Sequence, residues 1–85
     1  MGLVQLGRAR LAMALPQHRK QLRDAKSQRL YDLFEEYARA ASKLDELQRE
    51  TPRREMLIAR YQQTCLDLQS DTILLLSILD ERLFP

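Results

Sequence analysis

Apolar side chains return every three or four residues through the middle of the chain. Leu30, Leu33, Tyr37, Ala40, Leu44 and Leu47 step by 3, 4, 3, 4 and 3, the a/d spacing of a helix that lays one stripe against a neighbour. The pattern predicts one long helix over 19–50. Phe34 and Ala41 lie beside the seam and widen it, which suits a bundle more than a bare two-stranded coil. A second seam of Ile58, Tyr61, Cys65, Leu68, Thr72, Leu75 and Leu79 repeats the period and predicts another helix over 52–83. Upstream, Leu3 or Leu6, Leu11, Ala14 and Leu15 recur at helical spacing and predict a short basic helix over 1–15. Pro16 disfavours helix at Leu15 and so ends it.

Glu50-Thr51-Pro52 separates the two long helices. Thr51 can cap exposed amides and Pro52 suits a first helical turn, where its missing N–H costs nothing. A turn this short folds the helices back on each other antiparallel. A continuous helix kinked at Pro52 is the alternative. The expected fold is all-α: a single domain over 1–85, built as an antiparallel hairpin of two long helices with a short N-terminal helix, and completed into a bundle by oligomerisation. The paired seam is expected to comprise Leu30, Leu33, Tyr37, Leu44 and Leu47 on one arm and Ile58, Tyr61, Cys65 and Leu68 on the other.

Oligomerisation is expected because the last helix carries more apolar surface than one neighbour can cover. Ile73, Leu74, Leu75, Leu76, Ile78 and Leu79 surround it almost completely. Each large side chain left uncovered forgoes about 1.5–3 kcal/mol. These six residues are the expected oligomer or partner interface.

Composition sharpens this reading. With 85 residues there is room for one small domain, and a lone core of that size is marginal. The two Gly and three Pro leave the long segments free of helix breakers. One Cys excludes an internal disulfide and fits a reducing compartment; a cytoplasmic location is expected. Residues 1–23 carry +5 and residues 24–85 carry −3, within a net charge of +2. Arg8, Arg10, Arg19, Lys20 and Arg23 are thus candidate contacts for nucleic acid or an anionic membrane, with a solvated helix face as the plain alternative. One His and one Cys do not make a closed zinc site. No glycine-rich phosphate loop occurs, and the adjacent acids Glu35-Glu36 and Asp45-Glu46 diverge by about 100° on a helix. No enzyme, cofactor or metal is expected.

Leu15-Pro16 leading into a long charged helix, and Arg60-Tyr61 followed by an amphipathic helix ending in Leu76-Ser77-Ile78-Leu79 with Pro85 nearby, together resemble the TraM family of quorum-sensing antiactivators. The chain departs from that pattern in being shorter, with a tight Thr51-Pro52 turn where the family has a longer loop. The resemblance implies a dimeric helical protein that binds a LuxR-type activator and removes it from DNA. The expected function is non-enzymatic: a protein that self-associates, as a homodimer or higher oligomer, and binds a protein partner through helix packing. A basic arm acting on nucleic acid or membrane, and a small structural subunit of a larger helical complex, are the alternatives.

Overall fold

The computed structural model describes residues 2–83, with side chains through Leu79. Four α-helices account for nearly all of these residues, with no strand among them: α1 (Leu3–Ala14), α2 (Arg19–Asp24), α3 (Gln28–Arg49) and α4 (Glu55–Leu83). Pro16–His18 forms one 3-10 turn between α1 and α2. Leu15, pushed out of the helical region by the proline after it, adopts φ −124°, ψ 68° and closes α1.

The helix expected over 19–50 is in fact two. Ala25-Lys26-Ser27 interrupts it, although the segment holds neither Gly nor Pro. The cause lies in another helix. Arg8 of α1 donates from its guanidinium to the carbonyl oxygens of Arg23 at 2.7 Å and Ala25 at 3.2 Å. Tyr31 donates from its hydroxyl to the same Ala25 oxygen at 3.3 Å. Carbonyls at a helix end need such donors, and here tertiary contacts supply them. The guanidinium also lies 5.6 Å and 5.3 Å from the ring centres of Tyr31 and Phe34, within cation–π range.

The connection at Pro52 is a turn between two helices, not a kink. α4 starts at Glu55, so Pro52 precedes the helix rather than opening it. Arg54 instead grips Glu50 across the turn with bonds of 2.9 and 3.0 Å. The arms run antiparallel. Tyr37 accepts from Gln69 at 2.9 Å, Leu33 lies near Leu75, and Lys43 lies near Tyr61, so numbers fall on α4 as they rise on α3.

Helix α1 packs against α3, and does so more intimately than an accessory helix. Gly7 is buried, and a Cβ there would overlap the backbone of Phe34. Ala38 and Ala41 on α3 are buried as well; small residues let two helices approach closely. Leu11, Leu22, Leu30 and Phe34 form the fully buried centre, joined by Tyr37, Cys65, Leu68 and Leu76. The body is elongated, 52 × 25 × 20 Å. Its radius of gyration of 14.0 Å exceeds the roughly 12 Å of a compact 85-residue domain.

Candidate helix-docking surface

Helix α4 uses one face for the core. Ile58, Cys65, Leu68, Thr72 and Leu76 are buried, and Tyr61, Leu75 and Leu79 pack partly buried beside them. At about 100° per residue, the roughly opposite face carries Leu66 (54% exposed), Ile73 (38%), Leu74 (63%) and Ile78 (41%). One helix therefore presents two apolar faces, of which the chain covers one.

The six residues expected to form an interface divide accordingly. Ile73, Leu74 and Ile78 are exposed, while Leu75 and Leu79 are half-buried. Leu76 is withdrawn into the core at 4% exposure, so this chain itself covers it. Of the expected hairpin seam, Leu30, Tyr37, Cys65 and Leu68 share one buried cluster, with Leu33, Leu44 and Tyr61 packed against it partly buried, while Leu47 and Ile58 are buried outside that cluster.

Beside the core seam, two hollows follow one another between α3 and α4 and together mark out a second, unfilled seam. Its α3 wall is Arg29, Asp32, Leu33, Glu36, Arg39, Ala40 and Lys43, and its α4 wall is Tyr61, Thr64, Leu68, Asp71, Leu74, Leu75 and Ile78. Along α4, positions 61, 64, 68, 71, 75 and 78 step by 3, 4, 3, 4 and 3. Along α3, positions 29, 32, 36, 39 and 43 step by 3, 4, 3 and 4. Walls with that period run parallel to both helix axes, which is the shape a further helix fills knob into hole. At about 1.5 Å per residue the groove is roughly 21–26 Å long. No residue of α1 lines it. On the other side of the hairpin, Arg10 of α1 does reach the groove formed by Tyr37, Ala41, Leu44, Asp45, Cys65, Leu66 and Gln69. The polar rim of the open groove escaped the sequence reading, although its 3–4 spacing was there to be read.

The basic arm divides in two. Arg8 is spent on the end of α2, and Arg10 pairs with Asp45 at 2.7 Å. Arg19, Lys20 and Arg23 are exposed on α2, Arg23 next to Asp24 at 3.3 Å. His18 is half-buried, with its Nδ1 2.8 Å from Oε1 of Gln21. Cys65 is a buried free thiol. Burial raises its pKa; the Arg10 charge lowers it and the Asp45 charge raises it, each by less. Among the described residues, no three metal-ligating side chains cluster, and no helix is long and apolar enough to cross a membrane. No protein-family model matches the chain, and no curated protein or solved structure matches it either.

Proposed function

We propose that this protein is a non-enzymatic interaction protein that works by receiving a partner helix along the open α3–α4 groove. The observation that carries the reading is the second 3–4 seam, with an apolar floor of Leu33, Ala40, Leu68 and Leu75 and the exposed Leu74 and Ile78 at its edge. A helix laid there covers Leu74 and Ile78, part of the apolar surface that α4 leaves to solvent. Burying apolar area at about 25 cal/mol per Å² is the driving force. The charges on the rim set register and orientation. If the TraM resemblance extends to the partner, the helix received belongs to a LuxR-type activator.

The test is site-specific photo-crosslinking in the source cell. A photoreactive residue at Leu74 or Lys43 should give a discrete crosslinked product. One at Met13 or Met56, both highly exposed (79% and 90%) and outside the groove, should give none. Equal labelling at all four positions, or none at any, sinks the reading. The mass of the product separates a second copy from another protein.

A further inference from the structure

The charges along the groove are sorted by sign. Asp32, Glu36 and Asp71 line it toward the end where α3 begins, and Arg39 and Lys43 line it toward the end near the Pro52 turn, with Arg60 one residue before the lining Tyr61. Two charges break the order: Arg29 at the extreme lower end, and Asp67 near the middle. Arg39 and Lys43 also hold Glu35 and Glu46 on their outer sides. Among the described residues, Glu36, Arg60 and Asp71 take part in no ion pair.

A groove that is acidic at one end and basic at the other is complementary to itself when turned end for end. Resting on the helix-receiving reading above, we propose that the helices received are those of a second copy of this chain, across a two-fold axis near Ala40 and Leu68. In a two-fold interface the same patch faces itself, so each contact occurs twice. Lys43 of one copy then faces Glu36 and Asp71 of the other, and Arg60 faces Asp32. Ala40 is small and 7% exposed, so it lets the two hairpins close at the axis. The product is a four-helix core of two α3–α4 hairpins with an α1 on each outer flank. Parallel stacking would set acid against acid and base against base, and is disfavoured for that reason.

The experiment measures the mass of the purified full chain by light scattering over a concentration series, then reverses each end of the groove separately. Wild type should weigh two chains. The R39E/K43E variant, with net negative charge at both ends of the groove, and the E36K/D71K variant, with net positive charge at both ends, should each dimerise at least tenfold more weakly. Mixing the two variants should restore a dimer, and native mass spectrometry should find one copy of each in it. All four residues lie on the rim, and circular dichroism checks that helicity is kept. Should a reversal variant unfold, the neutralised E36Q/D71N variant takes its place and should lose dimer at least threefold. A monomeric wild type overturns the proposal, as does a mixture that stays monomeric or a reversal that leaves the mass unchanged. A monomer whose Leu74 crosslinks to a different protein in the cell overturns the second copy as partner and leaves the helix-receiving reading standing. Absence of any groove-specific crosslink overturns that reading itself.

Discussion

Gly7 of α1 sits so close to Phe34 of α3 that a Cβ at Gly7 would overlap the Phe34 carbonyl oxygen. An alanine there gains about 1 kcal/mol of helix propensity. The clash with backbone, which cannot swing aside as a side chain can, costs about 1–3 kcal/mol. Gly7→Ala should therefore lower the urea midpoint, and Gly7→Val should lower it further. A midpoint raised by the alanine would show that α1 does not pack as described.

Arg8 ties α1 to the end of α2 through the Arg23 and Ala25 carbonyls. Arg8→Met keeps an unbranched stem but loses both hydrogen bonds and the ring contacts, at about 1–3 kcal/mol. The loss should be local first: amides over 19–25 should exchange faster, while the centre of α4 keeps its protection. Arg8→Lys should not rescue the effect, because an ammonium lacks the two-pronged geometry that reaches both oxygens. Unchanged exchange over 19–25 in Arg8→Met would refute this account of the helix break.

Thr72 is fully buried, and its hydroxyl donates only to the Leu68 carbonyl one turn back, at 2.7 Å. That oxygen also belongs to the helix's own backbone ladder, so removing the hydroxyl strands no partner. Thr72→Val should be neutral or stabilising by up to about 1 kcal/mol, since it places a methyl among apolar neighbours. Thr72→Ala should cost about 1 kcal/mol or more through the space it leaves. Thermal melts of the two variants compare them directly, and a valine less stable than the alanine would contradict the packing.

Burial raises the pKa of Cys65 above that of a free thiol. The folded state therefore holds the thiol proton to higher pH than the unfolded state. Stability from this group is full below the unfolded thiol's pKa and is lost as pH rises through the folded one. Denaturant midpoints measured from pH 7 to 10 should thus fall more steeply for wild type than for Cys65→Ala. The same burial should make labelling by a thiol reagent slow until the protein is unfolded. Parallel pH curves for the two proteins would count against a buried, neutral thiol.

The helix break and the open groove show where the sequence could and could not be read. The 3–4 recurrence from Leu30 to Leu47 and from Ile58 to Leu79 is a local property, because a stripe of that period is buried only if the segment is helical. The hairpin followed from it together with the Glu50-Thr51-Pro52 interruption. The end of α2 did not, since Ala25-Lys26-Ser27 carries no breaker and becomes a break only when Arg8, fifteen residues before Arg23, arrives to satisfy the carbonyls. Arg8 and Arg10 looked like free cations for the same reason: their partners lie 15 to 35 residues away.

Leu76 marks the same boundary within α4. Its sequence neighbours Leu74 and Leu75 are equally apolar, yet Leu74 is 63% exposed and Leu76 only 4%. Hydrophobicity alone ranks the three alike, and only the rotation of α4 against α3 sorts them. By itself, then, the sequence determined that this protein is helical, where its two long amphipathic stripes lie, and that α4 bears more apolar surface than one neighbour covers. Each of these follows from residue type and a 3.6-residue period. Tertiary structure alone decided which side of the hairpin α1 fills, through the missing Cβ of Gly7, and so which side stays open. That choice depends on contacts between residues distant in the chain, and no local period encodes it.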